Sequence, residues 1–408
     1  MTMNQMRNPI LFVIAFFIGC GLYIDNWHVN QLSFHYLKRL FLFETEKPIV
    51  LFWTNFWGNE FNLSTIFHTN SNCPYSCLFT YNKIYAQVAA IRILHQHDYN
   101  NNWLPPVNPQ ALNAFLMMES PDNAMIYGDS LFRADYFNIT ISYRSTSTVY
   151  LPYNEFVRRD GSETAGQIWT SEQIEKSVAN KKKTVFASIS NCRAVTSART
   201  EFIDELNKYV NVTKVGLCYG QRVDDQMMKK LVDEHYFTLA FENSVCPEYT
   251  TEKYWRLKEL VVPVIFSRSV LNPNQVLNGT FLAASDFESP RELAEFLQTL
   301  IEDKQKYMNY FEWTKNYRRT MNGNLVNGIA VTNSNAGCQL CRLATLRPKL
   351  PPQNIRSFWN KSECIHQFGV ELIKQTDYYK RSQVQVTELL KQTTQNRSAH
   401  GNLTELSI

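Results

Sequence analysis

Residues 237–255 read Phe-Thr-Leu-Ala-Phe-Glu-Asn-Ser-Val-Cys-Pro-Glu-Tyr-Thr-Thr-Glu-Lys-Tyr-Trp. An apolar run suited to a buried strand, Phe237 to Phe241, gives way to Glu242-Asn243-Ser244, a short loop containing Pro247, and a helix start at Thr250-Thr251-Glu252-Lys253. A strand that feeds a polar loop and then a helix N-terminus is the local geometry with which α/β proteins hold a phosphate. The N–H groups of the first helical turn point at the anion, and the helix dipole favours negative charge there. Lys253 adds a full positive charge in that turn. The same pattern also fits an ordinary βα unit capped by a Thr, so the surrounding sequence has to decide.

Outward from this stretch the pattern repeats. Strand 184–190 precedes helix 198–210, strand 212–217 precedes helix 224–234, strand 237–241 precedes helix 251–260, and strand 262–266 follows. Residues 289–301 and 304–320 read as closing helices. Strands alternating with helices of this length predict a doubly wound parallel sheet, with ligands beyond the strands' carboxyl ends. Ser190-Asn191-Cys192 and Glu242-Asn243-Ser244 fall there. Further toward the N-terminus, strand character recurs at 49–53, 89–94, 114–118, 124–127 and 139–143, among loops rich in Asn and Pro such as 100–109. Residues 167–180 read as a helix, and the fold class is α/β.

The chain of 408 residues has room for two domains with substantial cores. Its formal net charge of +4 is mild, and the basic residues are dispersed, which excludes a nucleic-acid footprint. Lys181-Lys182-Lys183 is the one dense basic run and reads as a solvated linker. Ile10 to Ile24 is an apolar run between Arg7 and Asp25. It is shorter than the ~20 residues a typical bilayer takes, but long enough for a thin one. With Arg7 on its amino side, it is expected to be a type II signal-anchor with a cytosolic N-terminus. A cleaved signal peptide ending near Gly19-Cys20-Gly21 is the alternative. Seven Asn-x-Ser/Thr sequons, at Asn62, Asn138, Asn211, Asn278, Asn360, Asn396 and Asn402, point the rest of the chain to the secretory pathway. Eight of nine cysteines lie beyond the apolar run. Cys338-x-x-Cys341 with Cys73 and Cys77 reads as a zinc site or, better in an oxidising lumen, as disulfides.

Two halves of one signature then stand out: Phe241-Glu242-Asn243-Ser244, and Tyr249-x-Thr251-Glu252-Lys253-x-Trp255. Together they resemble the donor-binding signature of the α1,3-fucosyltransferases, glycosyltransferase family 10. Ser190-Asn191-Cys192-x4-Ser197-Ala198-Arg199 resembles that family's second donor motif, and Met118-Glu119-Ser120-Pro121 its Glu-Ser-Pro motif. The resemblance covers roughly 48–345, most firmly 184–255. It implies the GT-B architecture, two Rossmann-like domains facing a cleft. It implies GDP-fucose as donor substrate, a glycan acceptor on a glycoprotein, and an inverting transfer in the Golgi lumen. Glu119 would be the catalytic base, Arg199 and Lys253 would contact the diphosphate, and Asn243, Tyr249 and Glu252 would engage the nucleotide sugar. No metal site is expected, since the chain has no Asp-x-Asp, and no cofactor is required, with divalent-cation stimulation left open. In this family an N-terminal cysteine pair and a C-terminal Cys-x-x-Cys are disulfide-bonded. Cross-pairing of Cys73 and Cys77 with Cys338 and Cys341 closes the longest loops and is preferred to two local bridges, with Cys192 left free.

The expected layout is a cytosolic tail (1–9), an anchor (10–24), a stem (25–47), an acceptor-binding domain (48–180), a donor-binding domain (181–335) and a C-terminal tail with the Cys-x-x-Cys (336–408). The chain also departs from the family pattern. After Tyr143-Arg144, where the family continues Arg-Asp-Ser-Asp, it has Ser145-Thr146-Ser147-Thr148, and Asn154 follows Pro152-Tyr153 in place of Gly. The segment after Trp255 lacks the Gly before Val262-Pro263 and the Gly-Pro after it, where Arg268 could compensate with charge. These departures motivate the alternative of a lapsed member that binds donor or glycan without transfer. His95-Gln96-His97-Asp98 lies at the family's acceptor-reading segment; alternation places both His on one strand face, a simpler reading than a metal site.

Overall fold

A computed structural model describes residues 47–374, apart from 61–66, 68–72, 99–103, 107, 125–135, 164–165, 193–195, 273–274, 319–324, 327–328 and 331–334. The anchor and stem expected at 10–47 and the sequons at Asn62, Asn396 and Asn402 thus lie outside the described residues, all but Lys47. Among the described residues no helix is long and apolar enough to cross a membrane.

Two parallel sheets carry the fold. The first comprises β1 (Ile49–Phe52), β2 (Leu78–Thr80), β3 (Ile91–His95), β4 (Leu112–Leu116), β5 (Ile139–Ser142) and β6 (Val149–Tyr150), in the order β2-β1-β3-β4-β5-β6. Every pairing in it is parallel. β1, β3 and β5 are buried along their whole length and β4 over its last three residues, as strands covered on both faces are, and β1 accordingly reads as a continuous apolar run. Arg92 breaks the run in β3 without penalty. Its guanidinium donates to the carbonyls of Ala86 (3.1 and 2.6 Å) and Pro106 (2.5 Å). After β7 (Val157–Arg158) and helix α1 (Ser171–Asn180) comes the second sheet: β8 (Lys183–Ser188), β9 (Val212–Val215), β10 (His235–Leu239), β11 (Val262–Ile265) and β12 (Leu282–Ala283). Its order, β12-β11-β10-β8-β9, is all parallel. The α/β expectation is met, and two parallel sheets of this kind fit the GT-B type.

Helices α2 (Arg199–Leu206), α3 (Asp225–Glu234), α4 (Glu252–Trp255), α5 (Pro290–Glu302) and α6 (Lys304–Met308) follow the second sheet's strands. Their starts follow capping chemistry. Thr170 and Gln173 form a capping box on α1, Asp224 caps α3 through Met227 N–H, and Ser289 caps α5 just before its first-position proline. On α5, Leu293, Ala294, Leu297 and Leu300 are buried, one stripe at helical spacing. The helices expected at 198–210, 251–260 and 304–320 are shorter: α4 and α6 pass into 3-10 turns at Arg256–Glu259 and Asn309–Lys315. The strand expected at 124–127 begins with Ala124 in a turn, and its remainder lies outside the described residues.

Three expectations need correction. Lys181 is not a solvated linker residue. It is buried and its ammonium donates to the carbonyls of Val232 and His235, both at 2.8 Å, at the carboxyl end of α3. Cys192 is not free but bonded to Cys218. Gly216, at φ 106°, turns the chain back after β9 so closely that a Cβ there would lie 2.2 Å from Ile189 O, and Cys218 N–H donates to that same carbonyl. Residues 336–374, expected as a tail, are part of the fold. Helix α7 (Ala336–Leu346) packs on β1, β3 and β6, and helix α8 (Ile355–Phe358) leads into a segment that crosses to the second sheet.

The preferred cysteine pairing is the one observed: Cys73–Cys338 and Cys77–Cys341, with sequence separations of 265 and 264. A fourth bridge joins Cys246 to Cys364. Because the first two bridges close nearly the same loop, once one is made the second closes a ring of only a few residues. In the chain-entropy account, loss of either alone then costs about 2–3 kcal/mol, and loss of both well over twice that. We expect urea unfolding of Cys73→Ser/Cys338→Ser, Cys77→Ser/Cys341→Ser and the fourfold variant to show this excess; simple additivity would overturn it.

Candidate functional site

The site lies where the carboxyl ends of the two sheets meet. Glu119 follows β4, two residues beyond Met117, and Ser120 is fully buried behind it. Opposite, β10 runs out through Phe241 into Glu242, Asn243 and Ser244. A seam of small polar groups joins the two loops. Ser244 Oγ accepts from Ser120 Oγ and Asn123 Nδ2, both at 2.9 Å, and touches Thr196 Oγ1 at 3.3 Å. Thr196 also reaches Asp122 Oδ2 at 2.7 Å, and the other oxygen of Asp122 accepts from His366 Nε2 at 2.8 Å.

Glu242 organises the donor half. Its Oε1 accepts from Thr251 N–H (2.9 Å) and Thr251 Oγ1 (2.6 Å), so a carboxylate nine residues upstream caps the start of α4. This replaces the side-chain cap expected from Thr251 itself, which makes none. Glu242 Oε2 lies 3.0 Å from Lys253 Nζ, an ion pair without hydrogen-bond geometry. The same ammonium donates to Glu252 Oε1 at 2.9 Å and Thr251 Oγ1 at 3.0 Å. Burial alone would depress the Lys253 ammonium, but Glu242 and then Glu252 outweigh it and hold its pKa above the ordinary value. Burial pushes the Glu242 carboxyl up, whereas at Glu252 the pull of Lys253 overrides burial and brings the pKa down.

Arg199 is 2 % exposed and spends its guanidinium on main chain, Nη1 on Phe241 O (2.9 Å) and Nη2 on Asn191 O (2.7 Å). It thus ties the ends of β8 and β10 together, and burial lowers its pKa. It is near enough to Lys253 to depress that group's pKa. Its Nε and the side-chain oxygen of Asn243 are buried with no hydrogen-bond partner among the described residues. Buried polar atoms are normally paired, so these two carry unspent hydrogen-bonding capacity.

The sixth expected residue sits differently. Tyr249 Oη donates to Glu119 Oε1 at 2.5 Å, joining it to the residue expected as base and not to the other donor groups. Its ring packs against Tyr143 (5.2 Å) and Tyr153 (6.4 Å), and Tyr153 Oη donates to Met118 O at 2.5 Å. His95 and His97 do not share a strand face. The chain leaves β3 at Gln96 for a 3-10 turn, so His95 is buried with Nδ1 2.6 Å from Asp98 while His97 is exposed. Among the described residues one His/Cys/Asp/Glu cluster has ligand spacing, Asp122 with Cys246 and Cys364; those two sulfurs are already bonded to each other. Of the remaining sequons, Asn211, Asn278 and Asn360 are exposed, whereas Asn138 is half-buried and donates to Leu350 O at 3.2 Å.

Sequence reading missed the C-terminal strap across this site. Trp359 packs on Phe115 (6.0 Å) and Tyr143 (5.5 Å), Ile365 N–H donates to Val245 O, and Gly369 N–H donates to Ser197 O. A Cβ at Gly369 would lie 2.2 Å from Ala198 O, so only glycine fits. Arg144 holds the strap from the first sheet, donating to Phe358 O (2.6 Å), pairing with Glu363 (3.0 Å) and lying over Trp359. The missing acids after Arg144 also find an answer: Ser145 N–H and Oγ donate to the Glu248 carboxylate at 2.8 and 2.9 Å, so an acid still meets this loop, from the opposite side. Cys364 was the one legible signal of the strap, as a cysteine needing a partner.

Lys253→Met would strip two buried carboxylates of their cation. We expect a stability loss of about 2–3 kcal/mol, the 3–5 of a fully buried pair discounted because solvent reaches 21% of the Lys253 side chain, 10% of Glu242 and 23% of Glu252. The raised Lys253 contributes fully below its unfolded value of 10.5 and loses this as pH climbs through the raised pKa. The depressed Glu252 contributes fully above 4.5 and loses this as pH falls through the lowered one. Glu242, whose carboxyl burial already pushes up, and Glu252 both lose their main lowering partner in the variant, so urea titrations should find the deficit full on the alkaline side, below the Lys253 pKa, and shrinking toward acid as these carboxyls take protons; a deficit that grows toward acid would contradict the ion-pair account.

Comparison with known proteins bears on what this site belongs to. Residues 178–357 match the family described as "Glycosyltransferase family 10 (fucosyltransferase) C-term", and residues 45–154 match "Fucosyltransferase, N-terminal". The chain is 28% identical over 328 residues to alpha-(1,3)-fucosyltransferase fut-1 of Caenorhabditis elegans, covering 78% of this chain and 70% of that one. It is 33% identical over 246 residues to 4-galactosyl-N-acetylglucosaminide 3-alpha-L-fucosyltransferase FUT5 of Homo sapiens, covering 58% and 61%. A crystal structure of an alpha1,3-fucosyltransferase with GDP-fucose is similar at 18% identity and a TM-score of 0.45, covering 75% of this chain and 92% of that one. With both family regions matched in order around this site, the chain belongs to glycosyltransferase family 10 and is an enzyme of the fucosyltransferase kind.

Proposed function

We propose that the protein transfers L-fucose from GDP-fucose, in α1,3 linkage and with inversion, to the 3-hydroxyl of a GlcNAc on a glycoprotein glycan. The observation that carries this reading is the opposition of two chemistries across the seam. Glu119 stands at the carboxyl edge of one sheet, and Lys253 and Arg199 stand at the carboxyl edge of the other. The fucosyltransferase family match and relatives named as alpha-(1,3)-fucosyltransferases support this reading.

In the displacement, Glu119 takes the proton of the acceptor hydroxyl as its oxygen bonds to the fucose anomeric carbon. The bond from that carbon to the phosphate oxygen breaks at the same time, and GDP leaves with the extra negative charge. Lys253, the first-turn N–H groups of α4 and Arg199 stabilise that charge without a metal-binding motif. The unpaired Nε of Arg199 and carboxamide oxygen of Asn243 provide unspent capacity for the nucleotide, and the Glu252 carboxylate would accept from sugar hydroxyls. A Golgi location, with the apolar run at 10–24 as a type II anchor, completes the proposal.

Release of GDP from GDP-fucose, with and without a panel of N-glycan and LacNAc-type acceptors, tests it. Acceptor-dependent turnover is expected, and Glu119→Gln should lower it by about 10²–10⁴-fold while GDP affinity stays within twofold. A chain that binds GDP yet turns over with no acceptor would support the lapsed reading instead.

A further inference from the structure

Glu119 carries two carboxylate oxygens in unequal surroundings. Oε1 receives both the Ser120 N–H at 2.8 Å and the Tyr249 hydroxyl at 2.5 Å, while Oε2 has no hydrogen-bond partner among the described residues. One oxygen is therefore held and the other is free to accept a proton. The group doing the holding comes from the opposite sheet, 130 residues away in sequence.

Tyr249 is built to hold this position. It is 4 % exposed, walled by Tyr143 and Tyr153, with its N–H on Cys246 O at 3.1 Å. The residue before it, Glu248, is in the left-handed region at φ 59°, a costly conformation for a residue with a Cβ. That strain is held by Glu248 N–H on Val270 O (2.6 Å) and by its carboxylate on Ser145 and Asn272. Cys246 is fastened to Cys364. Burial, and then the Glu119 charge, keep the phenol protonated well beyond its ordinary pKa, so it acts as a donor. A phenol has one proton, and this one is committed to Glu119.

We propose that Tyr249 is a positioning residue for the base: its hydroxyl fixes Oε1 of Glu119 so that Oε2 is presented to the acceptor hydroxyl. The inference rests on the fucosyl-transfer reading above. It makes the loop that leads into the donor-binding helix also aim the base on the acceptor sheet, so disturbing the donor loop misaligns the proton acceptor. A direct donor contact for Tyr249, which the family signature implies, makes the opposite kinetic prediction.

The test is steady-state kinetics of the full chain carrying Tyr249→Phe, Glu119→Gln or both. GDP-fucose and the same acceptor panel serve as substrates, and GDP affinity is measured by calorimetry. Removing the hydroxyl should lower kcat about 10–100-fold, as misplacement of a catalytic group does. KM for GDP-fucose and the GDP Kd should stay within twofold, and the double variant should be no slower than Glu119→Gln alone. The proposal is overturned if Tyr249→Phe keeps its kcat, if KM for GDP-fucose or the GDP Kd rises tenfold, if GDP binding is lost altogether, or if the double variant shows multiplied losses. An unmodified chain without turnover overturns the fucosyl-transfer reading and this inference with it; an active chain indifferent to Tyr249→Phe overturns this inference alone.

Discussion

The hydroxyl of Ser244 is shared by both sheets. Its oxygen accepts from Ser120 Oγ and Asn123 Nδ2, both at 2.9 Å, and lies 3.3 Å from the Thr196 hydroxyl, whose shorter contact is with the Asp122 carboxylate at 2.7 Å. A buried hydroxyl with this many polar neighbours tolerates little displacement, because each group moved away leaves a polar atom unpaired. Parallel sheets offer ligands only their carboxyl edges, and this seam keeps two such edges opposed. Glu119 and Tyr249 meet beside the contact of Ser120 with Ser244.

Charge at the donor turn is balanced in the same economical way. Lys253 and Arg199 bring two cations close together in a mostly buried place, which would be costly alone. Glu242 offsets one of them while capping the helix that carries it, and main-chain carbonyls take up the other. Glu242 is a motif residue whose structural duty explains its presence without contact to any substrate. In the proposed transfer a diphosphate would meet cations that are already oriented, so little reorganisation would accompany the departure of the leaving group.

The C-terminal segment changes how the departures from the family pattern look. Where acids are absent after Arg144, Ser145 binds Glu248 from the facing loop, and Arg144 itself clamps the strap through Phe358, Glu363 and Trp359. The rebuilt segment after Trp255 ends with Arg268 paired to Asp286 through two contacts, 3.0 and 2.5 Å, so this arginine is held by its own sheet's loop. Neither change removes a group from the Glu119–Tyr249–Lys253 line. Two sulfur–sulfur bonds tie α7 to the first domain, and a third ties the strap to the donor loop.

The local sequence determined what depends on neighbours in the chain. Period and length placed the inner strands of both sheets and most helix starts, though not the short edge strands β2, β6 and β12, and the family resemblance carried by the motifs implied Glu119, Arg199, Asn243, Tyr249, Glu252 and Lys253 as the chemistry-bearing groups. It could not assign partners separated by a hundred residues or more. A carboxylate next to Ser-Pro looks the same whether it is free or held by a tyrosine 130 positions on. A lysine run looks solvated although burial between α3 and β8 made Lys181 a helix cap. A cysteine in a loop looks free until a glycine turn delivers its partner. Hydrogen bonds, ion pairs and disulfides act over a few ångströms, and which side chains come that near is decided by how two sheets and a returning C-terminal strand of chain pack.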